Sequence, residues 1–183
     1  MLLPLLQPEE HSFIRAEIDQ SLSLPNKFFI TMTWHPEWIE QMEEKIKAEP
    51  RSKIRAEASK MPPLEAWKVN QFHHYFIRLA KRTNSHIQAY GGLNPEWEHH
   101  HFHAVFMSEH PIELTTIRTT WDYCLPTAKH AQRYNPERNA VGYIFGRHYG
   151  IRNEGRVYCP GVKKSCRNGN CKFEEGNILQ RSA

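Results

Sequence analysis

The histidine-rich segment at residues 99–106, HHHFHAVF, carries the side chains best suited to chemistry in this sequence. In a strand, alternate residues share a face, so His101 and His103 would project together, away from the apolar residues between them. Two neighbouring imidazoles can bind one divalent cation. The alternative is a polar, solvated strand edge. The core-like pattern of the apolar residues favours metal ligation over it.

A metal ion held by two histidines needs a further ligand. The runs HIQAYGG and EHHHFHAVFM flank the turn-like LNPEW, a pattern typical of a β-hairpin. If Asn94 and Pro95 centre the turn, Gln88 lies opposite His101 on the neighbouring strand. Gln88 is therefore the expected third ligand.

A shift of one residue in this register would place Ala89 beside the histidines and remove the ligand. Glu96 or Glu98 in the loop would then be the donors. An oxygen ligand beside two imidazoles suits Mg²⁺ or Mn²⁺, and zinc is also compatible with these residue types.

A tyrosine in the segment AVGYIFGRHYG offers a second reactive group. In a helix, the apolar residues of this segment form one stripe, while Tyr143 and Arg147, four residues apart, share another. That position would present the phenol to a site. An aromatic residue beside Ile144 and Phe145 is also compatible with a core or interface tyrosine, and the helix alone leaves both readings open.

The elements that would hold these residues follow from periodicity and from prolines. The predicted order is β, α, β, β, α, β, α, which favours an α+β fold with a ferredoxin-like or RRM-like antiparallel sheet, helices on one face and the active site on the other. The predicted elements are a short helix within 9–24, strand 27–34, one or two helices within 37–60, a helix from Pro63 to Arg82, strands in HIQAYGG and EHHHFHAVFM, a helix after Pro111, strand AKHAQRY and a helix in NAVGYIFGRHY.

The length of 183 residues predicts one domain with extensions. Residues 1–26 are interpreted as an N-terminal extension, 27–150 as the catalytic domain, and 151–183, where periodicity is lost, as a basic tail containing cysteines. The tail residues Cys159, Cys166 and Cys171 are candidates for a structural zinc site, with Cys124 or His148 as fourth ligand; the alternative is three reduced thiols.

The formal net charge of +4 suits a polyanionic partner without requiring one. The opening MLLPLL is too short for a secretory core or a membrane span, so we expect no membrane association. The expected location is the cytoplasm, or the host nucleus if the chain comes from a eukaryotic virus.

Three segments in order, FITMTW, HFHAVF and AVGYIFGRHYG, resemble the three motifs of the HUH endonucleases, which include rolling-circle replication initiators, relaxases and related transposases. The resemblance covers about residues 27–150 and is nearest to the initiators. It implies that His101 and His103 are metal ligands and that Tyr143 is the nucleophile. Tyr149 is an alternative nucleophile, although six residues along a helix turn it away from Tyr143.

The resemblance also implies which residues contact DNA. The first motif lines the site in this family, which points to Thr31, Thr33 and Trp34. Two departures concern the family's usual lysine after the tyrosine, here replaced by Gly146 and Arg147, and its usual glutamate, which corresponds to Ala89 or Gln88. Arg147 can still contact a phosphate. Further candidates for the surface that binds single-stranded DNA are Trp97 and Arg133.

The activity implied is sequence-specific nicking and joining of single-stranded DNA, with a 5′-phosphotyrosine intermediate and a free 3′ hydroxyl for a polymerase. Host replication proteins are expected partners. Relaxases and tyrosine transposases are the alternatives within the enzyme class. The alternative from another class is a non-catalytic module that binds single-stranded nucleic acid through its sheet.

Overall fold

The computed structural model of the chain describes residues 8–48, 63–94, 101–121, 129–147, 149–151 and 157–158. None of the helices in these ranges combines the length and apolarity needed to cross a membrane. The elements are α1 Pro8–Gln20, β1 Asn26–Thr33, α2 Pro36–Ala48, α3 Pro63–Thr83, β2 Ile87–Asn94, β3 His101–Ser108, α4 Leu114–Thr119, β4 Lys129–Arg133, α5 Ala140–Arg147, β5 Tyr149–Ile151 and β6 Val157–Tyr158.

The strands form one antiparallel sheet in the order β4-β1-β3-β2-β5, and β6 also pairs with β2. The predicted α+β class is confirmed. In β1, aromatic and β-branched residues alternate between buried and half-buried positions, as expected of a strand with one face in the core. β3 is buried along its whole length because β1 and β2 flank it and helices cover both of its faces.

The face of the sheet that carries Phe28, Phe102 and Phe106 is the core face. Helix α3 places the rings of Phe72 and Phe76 against it, and Ile117 of α4 joins the same apolar cluster. The rings of Phe28 and Phe106 stack at a centroid distance of 4.9 Å. This confirms the prediction that the apolar residues of the histidine strand face the helices.

The opposite face, which carries Phe29, Thr31, His101 and His103, is the site face. It is less open than the sequence predicts, because α1 and α5 pack on part of it. Their contact surface is a second apolar cluster formed by Ile18, Leu24, Tyr90, Val105, Met107, Val141, Ile144 and Phe145. α1, which lies within the predicted N-terminal extension, therefore contributes to the apolar packing on the site face.

The sheet also continues beyond Gly150, where the sequence predicts only a tail. β5 pairs with Gly91–Leu93, and β6 pairs with Ile87 and Gln88. Tyr158 is buried; its hydroxyl lies 2.8 Å from Nδ1 of His73, and its ring stacks on Phe76 at 5.4 Å. These contacts attach the chain after α5 to the core.

Candidate active site

His101 and His103 lie side by side on the site face of β3. Their rings meet edge to face, with centroids 4.7 Å apart, and their residues are 8% and 6% exposed. The strand register places Thr33 and Thr31 opposite them on β1. The prediction that these two imidazoles share one face is confirmed.

Tyr143, on α5, lies over His103. Its Oη is 3.5 Å from Nε2 of His103, and the two ring centroids are 5.0 Å apart. Tyr143 is 39% exposed, whereas Ile144 and Phe145 are buried against the sheet. The amphipathic spacing of α5 therefore presents the phenol both to His103 and to solvent, rather than burying it in the core.

Hydrogen bonds in its first turn fix where α5, the helix that carries Tyr143, begins. The side-chain Oδ1 of Asn139 accepts a hydrogen bond of 3.0 Å from the backbone N–H of Gly142, which is the usual contact of an N-cap residue. The N–H of Tyr143 donates to the Asn139 carbonyl at 2.9 Å. A Cβ on Gly142 would clash with Nδ2 of Asn139, so the glycine leaves room for the capping side chain.

The imidazole of His103 has close neighbours on β1. Thr31 Oγ1 lies 2.8 Å from its Nδ1, and the ring of Phe29 stacks on it with centroids 5.8 Å apart. On the other side, the register places Gly92 of β2 opposite His103. Because glycine has no side chain, Gly92 itself adds no group beside the ring.

The predicted hairpin register is wrong. The structure pairs Asn94 with His101 and Gly92 with His103, so residues 95–100 connect the strands and Gln88 lies opposite Met107. Gln88 instead donates hydrogen bonds to Glu17 at 2.8 Å and to the Tyr90 hydroxyl at 2.7 Å. At a rise of about 3.3 Å per residue, Gln88 is about 13 Å along β2 from Gly92, too far to complete a site with the histidines.

Two imidazoles are thus the metal donors that the described residues bring together. In this part of the chain, no group of three or more His, Cys, Asp or Glu residues is arranged to hold a metal ion. Glu96 and Glu98, the other predicted donors, lie outside the described residues.

The predicted DNA-contact residues occupy different environments. Thr31 and Thr33 lie on the site face beside the histidines. Trp34 is only 1% exposed and packs between Phe102 and Trp121, so its ring cannot stack on a DNA base. Arg133 is exposed, but it pairs with Phe28 and its guanidinium lies 4.7 Å above that ring, on the core-face side of the sheet.

Other predicted residues are described in part or not at all. Arg147 is the last residue of α5, and Tyr149 begins β5 instead of continuing the helix. The side chains of both are outside the described part of the chain, as are Trp97, His148, Cys124 and the three tail cysteines Cys159, Cys166 and Cys171.

Sequence reasoning overlooked His130. The register pairs it with Thr31, so His130, Thr31, His103 and Gly92 form one row across the site face. His130 is exposed at the β4 edge of this row. The alternation within KHAQR could have identified it, since Ala131 is the residue of this strand that joins the core cluster.

The chain matches no protein-family model, and searches of curated proteins and of solved structures found no match either.

Proposed function

We propose that this protein nicks and rejoins single-stranded DNA through a covalent bond to Tyr143, as a rolling-circle replication initiator of the HUH type. The observation that carries the proposal is the 3.5 Å approach of Tyr143 Oη to Nε2 of His103, beside His101. A partly exposed nucleophile next to two imidazoles is what a metal-assisted phosphoryl transfer needs. The order β4-β1-β3-β2 of the central strands supports the ferredoxin-like arrangement expected of that family.

In the proposed reaction, Tyr143 Oη attacks the phosphorus of a DNA phosphodiester and the bond to the 3′ oxygen breaks. The phenol loses its proton and the leaving oxygen gains one, so the products are a 5′-phosphotyrosine and a free 3′ hydroxyl. Attack of that hydroxyl on the phosphotyrosine reverses the reaction and rejoins the strand. The energy of the phosphodiester is thereby retained in the covalent intermediate.

His101 and His103 are the residues that would hold the divalent cation. Two adjacent imidazoles fit Mn²⁺ or zinc by donor type, and Mg²⁺ would need the additional oxygen donors that it prefers. A bound cation would neutralise charge on the phosphate oxygens as the transition state forms. Phe29 and Thr31 would keep the His103 ring in position for this role.

The substrate strand would approach over the exposed side of Tyr143. Thr31 and Thr33, which lie opposite the two histidines on β1, are the sequence-predicted DNA contacts on the site face. Arg147, four residues after Tyr143 in the sequence, is the proposed phosphate contact. Trp34 is buried in the core and is withdrawn from the proposed surface. Host replication proteins would act on the free 3′ end. A relaxase or transposase would share this chemistry and differ in its DNA target.

The experiment is a denaturing gel of the protein with a pool of single-stranded oligonucleotides and Mn²⁺. We expect a DNA adduct that survives denaturation, that requires the metal, and that disappears in Tyr143→Phe. Tyr149→Phe is the matched control and should retain the adduct. DNA binding without any adduct would instead indicate the non-catalytic module.

Substitution of either histidine should weaken Mn²⁺ binding. Each of the variants His101→Ala and His103→Ala loses one of the two described metal donors. Loss of a group that only hydrogen-bonds to a metal ligand already lowers metal affinity about 10-fold or more. We therefore expect at least about a tenfold lower Mn²⁺ affinity by calorimetric titration. His130→Ala is the control, since it removes an exposed imidazole from the same face. An equal loss in His130→Ala would contradict the assignment of the histidine pair.

A further inference from the structure

His103 is hydrogen-bonded to a side chain of the neighbouring strand β1. Thr31 Oγ1 lies 2.8 Å from His103 Nδ1, within the range of a good hydrogen bond. Thr31 and His103 are direct partners in the β1–β3 register, and β4 flanks β1 on its other side. The threonine is therefore held in place by backbone pairing on both sides, which makes it a rigid partner for the ring.

The second ring nitrogen of His103, Nε2, faces the proposed nucleophile. Nε2 points toward Tyr143, whose Oη is 3.5 Å away. The His103 ring stacks on the ring of Phe29 with an angle of 21° between the two ring planes. A neutral imidazole carries a proton on one nitrogen and a lone pair on the other. A metal needs the lone pair, so Nε2 can be a ligand only if the proton is on Nδ1.

We propose that Thr31 is a positioning residue whose hydroxyl accepts the Nδ1–H of His103 and so presents the Nε2 lone pair to a divalent cation. The inference rests on the proposed function and adds to it the group that selects the tautomer of the ligand. A hydrogen bond to the far nitrogen of a metal-bound histidine fixes ring orientation and raises ligand basicity. Here an uncharged hydroxyl takes the place that a carboxylate or a carbonyl often fills.

Thr33 provides an internal comparison. It lies two residues further along β1, on the same face, and is the register partner of His101. No hydrogen bond of the Thr33 hydroxyl to His101 is found in the described part of the chain, whereas its backbone carbonyl accepts from Trp121 Nε1 at 2.9 Å. The two threonines therefore differ in the contact that the inference requires.

The test combines two measurements on the full chain. The first is the nitrogen NMR signature of His103 in the metal-free protein at about pH 8, above the ordinary histidine pKa of about 6.5. We expect the Nδ1–H tautomer in the unsubstituted protein and in Thr31→Ser. In Thr31→Val, which keeps the shape and removes the hydroxyl, we expect a mixture of tautomers.

The second measurement is a calorimetric Mn²⁺ titration of the same proteins and of Thr33→Val. Thr31→Val should lower the affinity about 10- to 100-fold, the usual effect of removing such a partner. Thr31→Ser should restore most of the Mn²⁺ affinity. Thr33→Val, which removes a proposed DNA contact, should have the same Mn²⁺ affinity as the unsubstituted protein. Circular dichroism melting without metal reports whether each variant is folded.

An Nε2–H tautomer of His103 in the unsubstituted protein would overturn the inference, whatever the metal result. Thr31→Val with unchanged Mn²⁺ affinity, or Thr31→Ser as weak as Thr31→Val, would also overturn it. If the tautomer and affinity results are as expected and no Tyr143 adduct forms, the proposed nicking function fails while the role of Thr31 stands.

Discussion

At the scale of single residues, strand alternation predicts the histidine pair, and helical spacing predicts which face of α5 carries Tyr143. Both patterns are local, so a sequence reveals them. Gln88 was misassigned because the hairpin register depends on the length of the connecting loop. Asn94 pairs with His101, which leaves residues 95–100 between the strands in place of a tight turn at Asn94 and Pro95.

Trp34, which the family resemblance assigns to the DNA surface, is a core residue in the structure. It is 1% exposed and contacts Trp67, Phe102 and Trp121. Trp34→Ala should reduce the free energy of unfolding by about 3–5 kcal/mol, the usual effect of truncating a buried tryptophan, as measured by urea denaturation.

The control is Trp38, which is 38% exposed on α2. We expect Trp38→Ala to change stability by about 0.5 kcal/mol, as for most surface substitutions. Equal destabilisation by the two variants would show that Trp34 is not the packing centre that its contacts indicate.

At the scale of elements, the two helices on the site face support each other. The charged composition of residues 9–24 hides the apolar stripe of α1. Of its large apolar residues, Ile14 and Ile18 pack on the second cluster, whereas Phe13, and Leu22 just after the helix, are exposed. Arg15 also donates a 2.9 Å hydrogen bond to the Pro136 carbonyl, in the segment before α5. Such long-range packing has no signature in either helix alone.

Ile18→Ala should therefore weaken both the fold and the placement of Tyr143. We expect a loss of about 2–5 kcal/mol in the free energy of unfolding, from the cavity left in the second cluster. The matched control is Leu22→Ala: Leu22 is 83% exposed and its loss should cost about 0.5 kcal/mol or less. Similar losses in the two urea titrations would contradict the packing of α1 against the site face.

The start of α5 gives a second prediction at this scale. Asn139→Ala removes the N-cap and should cost about 1 kcal/mol. Gly142→Ala alone should give little net change, because its helix propensity gain of about 1 kcal/mol is offset by displacement of the Asn139 side chain. In the Asn139→Ala background the same substitution should stabilise by about 1 kcal/mol.

The four proteins of this double-mutant cycle are compared by urea denaturation. A coupling near zero between positions 139 and 142 would mean that the Asn139 side chain does not cap α5 as described.

At the scale of the whole molecule, the α+β class and the order of helices and strands up to α5 could be predicted, because each element has its own periodicity and proline boundaries. The strands after α5 could not. β5 and β6 are three and two residues long, too short for a periodic pattern, and they are strands only because β2 offers an edge to pair with. The packing of α1 and α5 on part of the site face could not be predicted either, because it depends on tertiary contacts.

The proposed nicking activity depends on one covalent bond, so the most direct measurement is to locate that bond. The protein is incubated with Mn²⁺ and a nicking substrate labelled on either side of the cleaved bond, digested with protease, and analysed by mass spectrometry. We predict that the fragment on the 3′ side of the nick is attached through its 5′ phosphate to the peptide containing Tyr143. Attachment to another residue, or through the 3′ end of the other fragment, would contradict the account.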